Sequence, residues 1–216
     1  MADRMPPHAD VVVVGGGCMG TSAAFHLMRR GERVVLVESG HVASGATGHS
    51  GAIVRQHYES RLGIRLARRS LAFFQRFEQE TGSPCDFRTT GFLSGTRRRD
   101  EAAFDRLFEL LRSEGVRVAR LTQAEAHGIE PQMEVSDFVA AVEDPDAGYA
   151  DPIATANGFA TAAAREGATI LEGAAAHSIL VMALVCAVCP YVPDDLRNPL
   201  AQLVLPLARA GYHVSD

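Results

Sequence analysis

The stretch VVVVGGGCMG, residues 11–20, restricts the possible folds of this chain more than any other part of it. Four consecutive valines predict a strand that is covered on both faces. Thr21 to Arg30 repeats apolar side chains at helical spacing, and Gly31 then ends the predicted helix. Arg33 to Glu38 predicts a second strand. A strand, a helix and a second strand form a βαβ unit, so we expect the two strands to be parallel.

Three glycines join the first strand to the helix in the pattern G-x-G-x-x-G, at Gly15, Gly17 and Gly20. Gly15 permits the tight turn, Gly17 allows a pyrophosphate to approach the backbone, and Gly20 allows the helix to pack near the strands. Glu38 ends the second strand, where its carboxylate can accept hydrogen bonds from ribose hydroxyls. The pattern predicts a dinucleotide site that fits either NAD or FAD. Cys18, inside the turn, is interpreted as a small side chain at the start of the helix rather than a redox thiol.

A second loop of small residues, Ala43 to Gly48, follows the acid at the end of the second strand. An NAD-binding domain would usually continue with another plain helix and strand. A second small-residue loop suits a longer ligand, whose backbone contacts continue past the pyrophosphate toward a flavin ring. The loop therefore favours FAD over NAD.

Five stretches of the chain carry a family resemblance: VVVVGGGCMGTSAAFHL, VVLVES, SGATGHSGAIVRQHY, RTTGFL and DAGYADP. Together they resemble the FAD-dependent oxidoreductases of the D-amino-acid oxidase superfamily, particularly the branch of the sarcosine oxidase β-subunit and dimethylglycine dehydrogenase. The resemblance covers residues 9 to about 175 and is strongest in the first 58 residues.

The resemblance implies an FAD cofactor that is held by the two loops. The implied cofactor contacts are Gly15, Gly17, Cys18, Met19, Gly20, Glu38, Ser39, Ser44, Gly45, Thr47, Gly48 and Tyr58. Arg55 and His57 would approach the flavin ring or its substrate side, and they are the catalytic candidates.

Each catalytic candidate allows more than one interpretation. Arg55 could stabilise negative charge on a reduced flavin, bind a substrate carboxylate with two hydrogen bonds, or pair with a structural carboxylate. His57 could be a base or a hydrogen-bond donor near neutral pH, or an ordinary core or loop histidine. Some family members attach flavin covalently through a histidine close to this segment. His49 lies there, but it is interpreted as a solvent-side loop residue.

The predicted fold class is α/β, a Rossmann-like FAD-binding βαβ domain interrupted by a partial substrate-domain sheet of α+β type. Residues 9–84 are predicted as the first part of the FAD-binding domain and residues 85–150 as the partial substrate domain. Residues 151–176 are predicted as a helix and strand that return to the FAD-binding domain. Residues 177–216 are predicted as an apolar tail that does not match the family.

Further elements follow from local patterns. Ser60 can cap a helix that extends to about Glu80, with Leu62, Leu66, Phe74 and Phe77 at helical spacing. Its aromatic side chains are expected in the core rather than at the cofactor. The other predicted elements are a strand over FRTTGFLSG, a helix over 101–112, a capping box at 122–125, a strand over 135–142, a helix capped by Asp151 and a strand over 168–172.

Composition excludes several other classes of protein. The formal net charge is −5 and the basic residues are scattered, so no nucleic-acid partner is expected. The longest apolar run, 179–189, is shorter than the roughly 20 residues of a membrane-spanning helix, and the N-terminus lacks a signal peptide. Four cysteines without an export signal indicate a reducing compartment, hence a cytoplasmic protein. Cys186 and Cys189 have no second ligand pair, so no metal site is expected.

The function implied by the resemblance is oxidation of the C–N bond of a small amine or amino acid by hydride transfer to the flavin. Sarcosine, dimethylglycine and glycine are substrates of the implied type. The alternative is a truncated, non-catalytic dinucleotide-binding remnant, or a subunit that needs a partner, because residues 177–216 lack the glycines expected of the family. In either case, exposed apolar surface is expected to promote self-association or binding to a partner subunit.

Overall fold

A computed structural model describes residues 5–176 of the chain. Its strands are β1 (Val11–Val14), β2 (Val34–Val37), β3 (Ile53–Val54), β4 (Arg88–Thr89), β5 (Phe92–Thr96), β6 (Ala119–Leu121), β7 (Ala140–Asp144), β8 (Gly148–Tyr149) and β9 (Thr169–Leu171). Its helices are α1 (Cys18–Met28), α2 (Arg61–Phe74), α3 (Phe77–Thr81), α4 (Glu101–Ser113), α5 (Gln123–Ile129) and α6 (Pro152–Arg165). The predictions for residues 177–216, including the pair Cys186 and Cys189, lie outside the described residues.

The first sheet is parallel and has the strand order β1-β2-β9. Val11 to Val14 pair in register with Val34 to Val37, which confirms the predicted βαβ unit. Strand β9 then adds to the other edge of β2, so the chain returns to this sheet after the intervening elements, as predicted. The arrangement confirms the α/β fold class.

Strand β1 is less covered than its four valines predict. Val12 is 55% exposed and Val14 is 59% exposed, whereas every residue of β2 is buried. Within the described residues β1 is the edge strand, and α1 and α6 cover only the face that carries Val13. The expectation of two covered faces was therefore wrong for β1 and holds only for β2.

Helix α1 begins three residues earlier than predicted, at Cys18 instead of Thr21. Gly17 is its N-cap residue, with an extended backbone, so Cys18, Met19 and Gly20 form the first helical turn. The backbone N–H groups of this turn therefore belong to the end of a helix. They do not belong to an irregular loop.

The predicted helix from Ser60 to Glu80 is divided into α2 and α3, with a break at residues 75–76. The Ser60 hydroxyl accepts the Gly63 N–H at 3.1 Å, which confirms the predicted cap. Phe77 is 2% exposed and packs edge-to-face on Phe159 of α6, with ring centroids 4.9 Å apart. Its expected place in the core is confirmed. Leu62 and Leu66, in contrast, are 69% and 55% exposed.

The remaining strands form two small sheets. The order β5-β7-β6 is antiparallel, and so is the order β3-β8-β4. The segment FRTTGFLSG contributes to both sheets, because Gly91 adopts a φ of +77° and turns the chain between β4 and β5. The single strand predicted there was wrong. The strand predicted over 135–142 lies at 140–144 instead.

The starts of two further helices follow their sequence signals. Thr122 and Glu125 form the predicted capping box at the start of α5. The Asp151 carboxylate accepts the Ala154 N–H at 2.7 Å, and Pro152 occupies the first turn of α6. Residues up to Ala176 form one compact unit, so the predicted domain boundaries at 84 and 150 stay predictions. In the part of the chain that the structure describes, no helix is both long and apolar enough to cross a membrane.

Candidate functional site

The turn between β1 and α1 has the geometry that an anion-binding loop needs. Gly15 leaves β1 with a φ of +106°, which favours glycine, and its N–H donates to the Val37 carbonyl at 2.8 Å. Within residues 5–176, the backbone N–H groups of Met19 and Gly20 have no acceptor. These donors lie at the positive end of the α1 dipole, where a phosphate group can bind.

Gly20 lies where α1 meets this turn. A Cβ atom at Gly20 would lie 1.9 Å from the Gly15 carbonyl oxygen and 3.3 Å from Val13 Cγ1. Rotation of a side chain cannot relieve a contact with a backbone atom. A residue larger than glycine therefore cannot occupy this position without moving either the helix or the turn.

The two glycine-containing loops contact each other directly. A Cβ atom at Gly17 would lie 3.0 Å from Thr47 Oγ1, and this oxygen accepts the Cys18 N–H at 2.9 Å. The Ala43 N–H donates to the Gly16 carbonyl at 3.0 Å. The absence of a side chain at Gly17 therefore allows the second loop to approach the start of α1, in addition to the role in phosphate binding that the sequence predicts.

Glu38 ties the two loops together at the end of β2. Its Oε2 accepts the Gly16 N–H at 2.6 Å, and its Oε1 accepts the Gly40 N–H at 2.8 Å and the Ser39 hydroxyl at 3.1 Å. The N–H of Gly40, followed by that of Gly16, holds the pKa of Glu38 below its usual value. Each carboxylate oxygen has two lone pairs, so Glu38 keeps capacity for a ribose hydroxyl.

The rest of the second loop is compact. The Gly48 N–H donates to the Gly45 carbonyl at 3.1 Å, and a Cβ atom at Gly48 would lie 2.4 Å from the Ala43 carbonyl oxygen. The Ser44 hydroxyl accepts the His41 N–H at 3.2 Å. His49 is exposed, and its Nδ1 donates to the Gly45 carbonyl at 2.9 Å. This contact gives His49 a local role in the loop.

A cleft of about 530 Å³ begins beside the loops. The predicted cofactor residues that line it are Cys18, Met19, Thr47 and Tyr58, and the catalytic candidate Arg55 also lines it. Burial raises the pKa of the Cys18 thiol, so the less reactive protonated form is favoured. The glycines of both loops, Glu38, Ser39, Ser44 and His57 are not among the lining residues.

Helices α2 and α6 supply cleft residues that the sequence analysis missed. One face of α2 lines the cleft with Gly63, Leu66, Ala67, Ser70 and Phe74. Small residues three and four positions apart share a helix face, and this spacing is a signal that could have indicated a surface approached by a ligand. Phe74 packs on the core, as expected for the aromatic residues of this helix, and it also lines the cleft.

Arg55 occupies a half-buried position between two aromatic rings. Its guanidinium carbon lies 5.0 Å from the centre of the Phe92 ring and 5.7 Å from that of Tyr58. Among the described residues, no carboxylate forms an ion pair with Arg55. The structural ion pair that was one interpretation of Arg55 is therefore absent from this part of the chain. Its charge remains available for an anionic ligand.

His57 lies beside Arg55 and packs on the same aromatic residue. Its ring centre is 5.8 Å from that of Phe92, and its Nδ1 is buried without a hydrogen-bond partner in residues 5–176. Burial, followed by the charge of Arg55, lowers the pKa of His57, so the neutral imidazole is favoured at pH 7. A neutral imidazole can accept a proton.

A larger groove of about 920 Å³ lies along α2 and is lined by Arg65, Arg68, Arg69 and Arg117. No residue of either glycine-containing loop lines it. We therefore assign the candidate site to the smaller cleft. No three His, Cys, Asp or Glu side chains of the described segment come together as a metal-binding group.

Comparison with known proteins places this geometry in a family. Residues 10–190 match the sequence model of the DAO family, described as FAD dependent oxidoreductase. The chain is 32% identical over 182 residues to 4-methylaminobutanoate oxidase (formaldehyde-forming) of Paenarthrobacter nicotinovorans, covering 82% of this chain and 22% of the relative. It is also 32% identical over 182 residues to human mitochondrial sarcosine dehydrogenase, covering 82% of this chain and 20% of the relative. The chain thus spans about a fifth of the length of these curated relatives.

A solved structure shares the fold. L-Proline dehydrogenase from P. horikoshii superimposes with a TM-score of 0.72 at 32% sequence identity, covering 78% of this chain and 45% of that chain. The comparisons confirm the resemblance that the sequence motifs indicated.

The described residues fit the FAD of this family. Gly20 and Gly48 stand where a Cβ atom would strike a backbone carbonyl of the protein itself, so glycine at these positions keeps both loops compact next to the cleft residues Cys18 and Thr47. Free N–H groups at the start of α1 suit a pyrophosphate, and the small and apolar lining of the cleft suits a flavin ring.

Proposed function

Because the chain belongs to the DAO family of FAD-dependent oxidoreductases, we propose that it is the FAD-binding part of an enzyme that oxidises the C–N bond of a small amine carrying a carboxylate. One observation carries the proposal. Arg55, a cation without a carboxylate partner in residues 5–176, lines an apolar cleft that begins at the two glycine-containing loops. Such a site can bind an anionic group next to the reacting centre.

The cofactor assignments from the sequence support this proposal. The first loop, Gly15 to Gly20, would hold the pyrophosphate, and Glu38 would accept hydrogen bonds from the ribose. Thr47 and Tyr58 would lie beside the flavin end of the cofactor. When bound, FAD would accept a hydride equivalent from the carbon next to the substrate nitrogen, a reaction that side chains alone cannot perform.

The substrate class rests on Arg55. Sarcosine, 4-methylaminobutanoate and L-proline, which the names of the similar proteins mention, each combine an amine with a carboxylate. A guanidinium can bind a carboxylate through two parallel hydrogen bonds. Phe92 and Tyr58 pack around Arg55, which limits its rotamers and reduces the entropy lost on binding.

His57 is proposed as the group that accepts or donates a proton at this site. Its lowered pKa favours the neutral form, and its buried Nδ1 has no hydrogen-bond partner among residues 5–176. His57 does not line the cleft itself, so Arg55 is the first of the two residues to test.

Association with a partner and a cytoplasmic location are also proposals. The exposed Met19, Ile53 and Leu66 line the cleft, which supports contact with further polypeptide or with a second copy of the chain. A cytoplasmic location is proposed from the cysteine content alone.

The proposal is tested first by the visible absorbance spectrum of the purified chain, before and after acid precipitation. We expect a flavin spectrum, with the flavin released into the acid supernatant. Flavin that stays with the precipitate would instead indicate covalent attachment and return attention to His49 or His57. A colourless chain that also fails to bind added FAD would contradict the proposal and favour the non-catalytic remnant.

Replacing Arg55 tests the substrate class. In the flavin-loaded protein, Arg55→Met should slow anaerobic flavin reduction by sarcosine about 10- to 100-fold, because a hydrogen bond to a charged group contributes about 1.5–3 kcal/mol. Reduction by dimethylamine, which lacks a carboxylate, should change little. Arg98→Met is the control, since this arginine is exposed and does not line the cleft. Equal slowing with both amines would contradict a carboxylate-binding role.

A further inference from the structure

Asp144 is a buried carboxyl group that the proposed chemistry does not use directly. It is 1% exposed and lies at the end of β7, in the antiparallel sheet β5-β7-β6. Its Oδ2 accepts the backbone N–H of Gln56 at 3.1 Å, and its Oδ1 accepts the Gln56 side-chain N–H at 3.2 Å. Gln56 is itself only 5% exposed. Because buried polar groups need partners, this pair fixes Gln56 to β7.

Gln56 lies between the two catalytic candidates, Arg55 and His57. Within the described part of the chain, residues 55–59 form hydrogen bonds only through Gln56, and both of these bonds go to Asp144. The preceding residues, Ile53 and Val54, pair with β8, and the following Ser60 caps α2. Asp144 is therefore the polar anchor of the short segment between these two elements.

The neighbouring strand β5 supplies a second contact to this segment, at the position opposite Asp144. Phe92 of β5 pairs in register with Asp144. Its ring packs 5.0 Å from the guanidinium carbon of Arg55 and 5.8 Å from the ring centre of His57. One cross-strand pair therefore contacts the backbone of the segment through Asp144 and both flanking side chains through Phe92.

We propose that Asp144 is a positioning residue, which holds the segment 55–57 against β7 so that Arg55 and His57 keep their places beside the cleft. This inference rests on the proposed function, since it assigns to Asp144 the placement of the substrate-binding Arg55. It also links the sheet β5-β7-β6 to the segment that carries Arg55 into the cleft.

Asp144 also acts on His57 through its charge. Burial and the Arg55 guanidinium lower the pKa of His57, while the negative charges of Asp144 and Glu59 act in the opposite direction. Removal of the Asp144 charge should therefore lower the pKa of His57 further. This effect separates the charge of Asp144 from its hydrogen bonds.

The test uses two substitutions. Asp144→Asn keeps the shape, and both hydrogen bonds are retained if Gln56 turns its amide to place Oε1 opposite the new NH₂ group. Asp144→Ala removes both bonds and leaves the Gln56 N–H without an acceptor. Asp146→Asn is the matched control, because Asp146 lies two residues away, pairs with Arg117 and forms no hydrogen bond with Gln56.

The first measurement is a pH titration of the His57 ring by NMR on the flavin-free chain, together with the melting temperature. Asp144→Asn should lower the pKa of His57 and leave the melting temperature close to that of the parent chain. Asp146→Asn should leave the His57 titration unchanged. An unchanged His57 pKa in Asp144→Asn would overturn the electrostatic part of the inference, whether or not the alanine variant folds.

The second measurement is the KM for sarcosine and the kcat of the flavin-loaded protein. We expect Asp144→Ala to raise KM about 10- to 100-fold, since a small misplacement of a binding group has an effect of this size. The KM of Asp144→Asn should stay close to that of the parent chain. A KM that is unchanged in Asp144→Ala would overturn the positioning role. If sarcosine reduces the flavin of neither the parent chain nor any variant, the proposed function fails. The NMR result then still decides whether Asp144 acts on His57.

Discussion

Replacement of Gly20 by alanine should abolish flavin retention and lower the stability of the chain. The new Cβ atom would lie 1.9 Å from the Gly15 carbonyl oxygen, so α1 must move away from the turn that follows β1. Overpacking of this kind lowers the free energy of unfolding by about 1–3 kcal/mol or more. For a chain of this size, each kcal/mol corresponds to about 2–4 °C in melting temperature. The movement would also displace the N–H groups of Met19 and Gly20 from the phosphate position.

The measurements are the melting temperature and the ratio of visible flavin absorbance to protein absorbance, in the presence of added FAD. Gly128→Ala in α5 is the control, because a Cβ atom there meets nothing within 4 Å. That variant should be neutral or more stable by roughly 0.5–1 kcal/mol, since alanine favours a helix over glycine. A Gly20→Ala chain that melts and retains flavin like the parent would disprove the steric role of this residue.

Replacement of Glu38 should weaken FAD binding, and the loss of affinity should grow with the number of hydrogen bonds that the substitution removes. Glu38→Gln offers one oxygen, so one of the two backbone N–H groups, of Gly16 or Gly40, loses its acceptor. Glu38→Ala removes both acceptors, so the backbone N–H groups of Gly16 and Gly40 both lose their carboxylate partner. With about 1.5–3 kcal/mol for a hydrogen bond to a charged group, FAD affinity should fall about 10-fold or more in the first variant and about 100-fold or more in the second.

The affinity is measured by titration of FAD against the quenching of flavin fluorescence, with the exposed Glu78→Gln as the control. The pH dependence gives a second check. The folded-state pKa of Glu38 is below its unfolded value of about 4.3, so its contribution is present above that pH and is lost as the pH falls. The parent chain should therefore release FAD on acidification only at a pH below the ordinary pKa of a glutamate side chain. Equal affinities and equal acid release in Glu38→Ala and the parent would show that Glu38 has no role in the site.

The parts of the molecule that could be predicted from sequence are those that depend on neighbouring residues. The βαβ unit follows from the apolar periods on either side of the glycines. The caps at Ser60, Thr122 and Asp151 follow from side chains that accept the N–H group three residues further along the chain. The cofactor class follows from the first and second loops, which lie within 40 residues of one another.

The errors arose where the environment of a residue depends on distant parts of the chain. The valines of β1 have the pattern of a buried strand, but Val12 and Val14 face outward because no helix of the described residues covers that side. Leu62 and Leu66 have the spacing of core residues, yet they border the cleft and the groove beside α2. Periodicity identifies a face of a helix or strand, but it does not say what that face meets.

By itself, the sequence determined the dinucleotide loop, the acid at the end of β2, the choice of FAD and the family, because each depends on residue types at short fixed spacings. Only the tertiary structure decided that one face of α2 completes the cleft and that Arg55 has no carboxylate partner in the described residues. It also joined Gln56 to Asp144, which are 88 positions apart. A contact between such distant residues is set by how the sheets pack, and no local pattern of side chains records it.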